Sequence, residues 1–179
     1  MKPDPLITYR RKPASLDLSQ LESFAEILRT RVARGREFHC RITNDEELSQ
    51  LNARFRKQDY PTDVLSFPYR PAPCRAATVK ERLPNPPLGD IAISLDRARA
   101  QAKEWNHSTE DELRILLLHG VLHLTGLDHE TDSGRMHRAE LRWRLKLGLP
   151  TGLIERSLIE RSLIELAQPE RKRLNRKQR

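Results

Sequence analysis

Residues 108–129 read STEDELRILLLHGVLHLTGLDH and hold the most apolar stretch of the chain. The spacing of the apolar residues predicts a helix over residues 108–126, and Thr109 with Glu112 resembles a capping box at its start. A helix that is apolar on most sides is usually buried. We therefore expect this helix to lie at the centre of the domain.

The rest of the sequence alternates between shorter strand and helix patterns. Strands are predicted over residues 6–10, 37–43, 63–67 and 89–95, and further helices over residues 15–34, 44–57, 96–105 and 131–147. Ser15 and Asn44 are the expected N-caps of the first two helices, and Gly35 is the expected stop of the first. Because strands and helices alternate early and helices dominate late, the pattern favours an α+β or α/β sandwich with a small sheet.

Two segments fall outside this pattern. Seven of the 12 prolines lie between residues 61 and 87, so we predict a long surface loop over residues 69–87. Residues 1–150 are predicted to form the domain, and residues 151–179 a basic C-terminal extension that is helical or disordered. The five-residue repeat in LIERSLIERSLIEL (153–166) turns its Leu-Ile pairs around a helix axis and makes no single apolar stripe.

Composition points to an acidic partner. The chain has 179 residues and a net charge of +8, which favours a polyanion such as nucleic acid. Residues 150–179 carry eight Arg or Lys and four Glu, a net +4, and form either a phosphate-binding arm or a solubilising tail.

The N-terminus has no long apolar run, so we expect a soluble cytoplasmic protein without a membrane partner. Cys40 and Cys74 are too few for a disulfide framework and are expected to be reduced thiols.

Three histidines cluster at the end of the central helix. His119 and His123 are four residues apart, so one face of a helix presents both to one ion. His129 converges with them only if the chain turns, and Gly126 is the residue able to end the helix there. Three His ligands with an open fourth position are typical of catalytic zinc, so we predict one Zn²⁺ per chain. His39, His107 and His137 lack partners at useful spacing and are expected to be structural or on the surface.

The spacing also matches the HExxHxxGxxH pattern of zinc proteases, but Gly120 stands where those enzymes have a Glu that activates water. Three alternatives remain open. A carboxylate from elsewhere could serve, with Asp128, Asp63 and Asp90 as candidates. The metal could act mainly as a Lewis acid, or the nucleophile could be an RNA 2′-hydroxyl rather than water. For Asp128 we favour hydrogen bonding within the turn over a role in orienting a ligand or relaying protons.

Three motifs together resemble the YbeY endoribonuclease family, the rRNA maturation factors. They are LNARFRKQDYPTDVLSFPY (51–69), LGDIAIS (88–94) and HGVLHLTGLDH (119–129). The resemblance implies a single α+β domain with a small mixed sheet of about four strands, flanked by helices. It also implies a bacterial, cytoplasmic, zinc-dependent endoribonuclease specific for single strands, which acts on the 3′ end of 16S rRNA and in ribosome quality control. It implies zinc ligands at His119, His123 and His129 and a catalytic arginine at Arg56. The 69–87 loop and the basic tail have no counterpart in these motifs.

Arg56 also has a physical argument, because a guanidinium is always charged and binds phosphate through two parallel hydrogen bonds. Most arginines at helix ends are simply surface charges, so the residue type alone leaves both roles open.

Two other functions compete with the endoribonuclease. One is an RNA- or ribosome-binding factor whose zinc is mainly structural, and the other is a zinc peptidase. We expect no DNA partner, and the sequence indicates no oligomeric state.

Overall fold

Four strands and six helical segments are present in the computed structural model, which describes residues 4–14, 16–70 and 85–162. In chain order the elements are β1 (Ile7–Tyr9), α1 (Leu18–Arg31), β2 (Phe38–Thr43), α2 (Asp45–Arg56), β3 (Val64–Pro68), β4 (Gly89–Ser94), α3 (Leu95–Glu104), α4 (Thr109–Leu124) and α5 (Arg135–Leu147). Residues 153–162 are also helical. The described residues contain no helix with both the length and the apolarity to cross a bilayer.

The strands form one mixed sheet in the order β1-β2-β4-β3. The first three in this order are parallel, with Ile7 opposite Cys40 and Cys40 opposite Ile91. Strand β3 is antiparallel to β4 and lies at the edge. This sheet, with helices around it, confirms the predicted α+β fold.

Helix α4 is the centre of the domain, as its apolar sequence predicted. Most of its residues are buried, and it contacts α1, α3, α5 and strands β3 and β4. The predicted capping box is wrong in register. Ser108 is the N-cap and accepts a hydrogen bond from the Asp111 amide, whereas the Glu112 side chain is fully buried.

Helix α2 covers the other face of the sheet. Leu48 of α2 packs with Leu65 and Ala92 in a small second core, whereas Ile91 and Ile93 belong to the main core with α4. This alternation follows from the pleat of a strand, in which successive side chains point to opposite faces. Helix α2, which carries Arg56, and helix α4, which carries His119 and His123, therefore lie on opposite faces of one sheet.

The predicted helix ends were partly right. Asn44 caps α2 by accepting from the Glu47 amide, as expected. Helix α1 instead begins after Asp17, whose carboxylate accepts from the Ser19 and Gln20 amides, and it ends at Arg31 before Gly35. Ser15, Cys74 and most of the predicted 69–87 loop lie outside the described residues.

The start of the predicted extension packs against the domain. Ile154 is part of the main core, and the Arg156 guanidinium donates two hydrogen bonds of 2.9 Å to the Glu112 carboxylate. Arg156 also lies 5.2 Å from the centre of the Trp105 ring. The division at residue 150 stays a prediction, and residues 163–179 lie outside the described part of the chain.

Candidate metal centre

The three predicted histidines come together at the C-terminal end of α4. The His119 and His123 Nε2 atoms are 3.1 Å apart, and the His129 ring centre is 5.4 Å from that of His119 and 5.2 Å from that of His123. One nitrogen from each ring lies within 4.8 Å of the others. His119 is buried, His123 half-buried and His129 exposed. The group could therefore hold a metal ion that remains open to solvent on one side.

Gly126 makes the turn that brings His129 back. Its φ of +92° is in the left-handed region that L side chains rarely adopt. Its amide donates to the His123 carbonyl at 2.9 Å, and the Leu127 amide donates to the Leu122 carbonyl at 3.3 Å. Both bonds satisfy carbonyls that the helix end would otherwise leave free. The predicted break between the helical pair and the third histidine is confirmed.

Two of the three histidines, His123 and His129, favour the neutral form. Burial, together with the neighbouring His119 and His129, lowers the pKa of His123 from 6.5 to about 4. Burial also lowers the pKa of His129. Only a neutral imidazole has a lone pair for a metal. The electrostatics of the cluster thus favour the form that binds an ion.

A buried carboxylate holds the first histidine, and sequence reasoning missed it. Glu140 Oε1 lies 2.9 Å from Nδ1 of His119, and their side chains are 3% and 5% exposed. An acceptor at this position fixes the proton on Nδ1 and leaves the Nε2 lone pair facing His123. Glu140 follows Met136 and Ala139 on the buried face of α5. A charged residue on that apolar face was the signal in the sequence.

The three carboxylates considered as replacements for the protease Glu have other partners. Asp128 accepts from the Glu130 amide and the Thr131 hydroxyl, which lowers its pKa and confirms the favoured structural interpretation. Asp63 accepts from the Val64 amide and from Gln101 of α3. Asp90 is exposed and precedes Ile91, which faces α4, so its side chain lies on the opposite face of the sheet.

Gly120 has a packing role that the sequence did not reveal. A Cβ built on this residue would lie 3.0 Å from two carbon atoms of the Ile91 side chain. The Ser66 hydroxyl also donates to the Gly120 carbonyl at 3.3 Å. Position 120 therefore faces the sheet at close range, and a side chain there would have to displace Ile91.

Arg56 is the last residue of α2 and is exposed. The ring of the preceding Phe55 packs on that of Phe67 with centroids 5.0 Å apart, and Ser66, next to Phe67, reaches α4. Arg56 is thus on the far face of the sheet from α4, beside edge strand β3. Its catalytic role stays a prediction.

His39 and His107 take the places expected of residues outside the site. His39 is exposed and 4.0 Å from Asp90, whereas His107 is buried with its Nε2 2.6 Å from Glu112. The convergence of His119, His123 and His129 on an α+β scaffold defines the class: a candidate tris-histidine metalloprotein with one histidine exposed to solvent.

Comparisons with known proteins give the family. Residues 7–146 match the sequence model of the family described as Endoribonuclease YbeY. The Endoribonuclease YbeY of Solibacter usitatus is 55% identical over 150 residues, or 84% of this chain and 92% of that protein. That of Koribacter versatilis is 40% identical over 176 residues, or 97% of this chain and all (100%) of that protein. The solution structure of TM1509 from Thermotoga maritima aligns over 76% of this chain and 85% of that chain, with 26% identity and a TM-score of 0.48. The chain belongs to the endoribonuclease YbeY family.

Proposed function

We propose that this chain is a zinc-dependent endoribonuclease that cleaves single-stranded RNA in the 3′-end maturation of 16S rRNA in the bacterial cytoplasm. The observation that carries the proposal is the convergence of His119, His123 and His129 in a member of this family. Three imidazole nitrogens suit Zn²⁺, which leaves a position for substrate when proteins supply three ligands. Ribosome quality control is the wider process to which we assign the activity.

The residues around the site favour phosphodiester chemistry over peptide hydrolysis. When bound, zinc would supply a Lewis acid for a phosphoryl oxygen. Gly120 supplies no base of the kind found in a zinc peptidase and packs closely on Ile91, and Asp128 is engaged in its turn. We assign to Arg56, at the end of α2 beside edge strand β3, the binding of an RNA phosphate, since a guanidinium binds phosphate through two parallel hydrogen bonds.

A basic cavity supports RNA as the partner. Among the described residues, its lining includes four arginines and no acidic side chain, and its volume is about 470 Å³. Arg36 is held in place by the Pro86 and Pro87 carbonyls, whereas Arg31, Arg34 and Arg142 are exposed. Thr125, two residues beyond His123, forms part of the wall. We infer that RNA phosphates lie along this surface near the metal centre.

The test begins with metal content and RNA cleavage by the full chain. We expect about one zinc per chain, its loss in His123→Ala, and cleavage of a labelled single-stranded RNA. Arg56→Ala should keep zinc and lose cleavage, whereas Arg54→Ala, an exposed arginine two residues away, should change little. Normal cleavage by Arg56→Ala would remove Arg56 from the mechanism. Full zinc retention by His123→Ala would refute the ligand set.

The same assays separate the competing functions. RNA that binds without being cut under any metal condition would favour a binding factor with a structural zinc, and cleavage of a peptide substrate would favour a peptidase. Replacing Arg31 or Arg142 singly by Glu should weaken RNA affinity and flatten its dependence on salt, because fewer counterions are released. Arg11→Glu, on the exposed loop after β1, is the matched control.

A further inference from the structure

Glu140 joins the metal centre to the C-terminal segment, which we define as residues 151–162. One carboxylate oxygen meets Nδ1 of His119 at 2.9 Å, and the other accepts a hydrogen bond of 3.0 Å from the Ile154 amide. The Glu140 side chain is only 3% exposed. Each oxygen thus has one partner, and the two partners belong to different parts of the chain.

We propose that Glu140 is a positioning residue and that the C-terminal segment, by fixing this carboxylate, sets the orientation of the metal ligand His119. The inference rests on the proposed metal site and extends it to residues that no motif covers. The C-terminal segment then contributes to the geometry of the metal centre.

The His119 side of the contact decides which nitrogen can bind an ion. Because a carboxylate only accepts hydrogen bonds, His119 must donate from Nδ1. Its Nε2 then has a free lone pair, and this atom is 3.1 Å from Nε2 of His123. A displaced carboxylate would free the imidazole to rotate or to move its proton to Nε2, where the proton competes with a metal.

The C-terminal side leaves the carboxylate little freedom. A Cβ at Gly152 would lie 2.7 Å from Oε2 and 2.9 Å from Cδ of Glu140, so the backbone of the segment closes over this group. Arg156, one turn further on, holds the segment to Glu112 of α4 by two bonds of 2.9 Å. The segment is therefore anchored to the same helix that carries His119.

Gly152→Ala is the most direct perturbation. The φ of Gly152 is not in the left-handed region, so alanine suits the backbone, and its methyl group requires a shift of the Glu140 carboxylate or of the segment that contacts it. Loss of such an outer partner lowers metal affinity by roughly 10–100-fold. We expect this loss in Gly152→Ala and in Glu140→Ala, and a smaller one in Glu140→Gln, whose amide oxygen can still accept from Nδ1. Glu155→Gln is the control, because its carboxylate belongs to the same segment but pairs with Arg144.

Two measurements on the full chain test the proposal. Zinc affinity is obtained by competition with a chromophoric chelator, and long-range ¹H–¹⁵N NMR of the metal-free protein reports which nitrogen of His119 has the proton. The wild type should show Nδ1–H, and Gly152→Ala should show a mixture or the other tautomer. Unchanged affinity and tautomer in Gly152→Ala would overturn the proposal.

Further outcomes distinguish a failure of this proposal from a variant that does not fold and from a protein that does not bind zinc. If Gly152→Ala does not fold, Glu140→Ala provides the test, because it removes the acceptor from Nδ1 of His119, and affinity and tautomer equal to those of the wild type would refute the positioning role. If the wild type itself binds no zinc, the proposed metal site is wrong. A change of the His119 tautomer in Gly152→Ala would then still support the coupling of the C-terminal segment to His119.

Discussion

Substituting Gly120 by alanine tests the close contact between α4 and the sheet. In an open helix this change stabilises the fold by about 1 kcal/mol. Here the new methyl group would meet the Ile91 side chain at 3.0, 3.0 and 3.3 Å. Ile91 is 1% exposed and has little room to move. Overpacking of a core costs about 1–3 kcal/mol, so the clash outweighs the helix propensity.

We expect a net loss of about 1 kcal/mol in the free energy of unfolding, or about 2–4 °C in Tm for a chain of this size. Urea unfolding in EDTA measures it, since bound metal would shift the transition. Ile91→Val removes one of the two closest carbons, so it should be less damaging when combined with Gly120→Ala than when made alone. The coupling between the two substitutions should be about 1 kcal/mol. A Gly120→Ala protein that is more stable than the wild type, with no coupling to Ile91, would refute the close approach.

Three further outcomes are expected. Burial and neighbouring histidines lower the pKa of His123 to about 4, so about one in 100 of the His123 side chains is protonated at pH 6. The zinc content measured after dialysis should therefore be unchanged at pH 6 and fall as the pH approaches 4. Loss of zinc already near pH 6.5 would contradict this. Arg156→Ala removes two hydrogen bonds from the buried Glu112 carboxylate and leaves it, among the described residues, only His107 as a side-chain partner. It should lower the free energy of unfolding by about 3 kcal/mol in urea titrations, whereas the exposed Arg161→Ala should not. Burial raises the pKa of the Cys40 thiol, so peptide mass spectrometry should find Cys40 unmodified by maleimide until the chain unfolds.

Local patterns were enough to predict the sheet, the central helix and the histidine cluster. The apolar run of α4 predicted burial, and the spacing of His119, His123 and His129 with Gly126 predicted their convergence. These features depend on residues near one another in sequence, where helix and turn geometry fix the distances. Local pattern did not place the N-cap of α4, because Ser108 and Thr109 are adjacent residues of similar capping ability.

Contacts between distant segments were not predictable. Glu140 is 21 residues from His119, and Arg156 is 44 residues from Glu112. Periodicity indicates which face of a helix is buried but does not name the partner. Gly120 shows the same limit, because its position in the motif suggested a missing catalytic base, whereas its contact with Ile91 depends on how closely a helix crosses a strand.

The anchoring of residues 151–162 has a consequence for the order of events during synthesis. A ribosome makes the chain from its N-terminus, so all three histidines leave the exit tunnel before Gly152, Ile154 and Arg156 do. Until then the Glu112 carboxylate lacks its arginine and Glu140 lacks the Ile154 amide. A nascent chain therefore has the three histidines before it has the contacts that hold the Glu140 carboxylate, and the cluster is fully supported only after residues 151–162 have emerged.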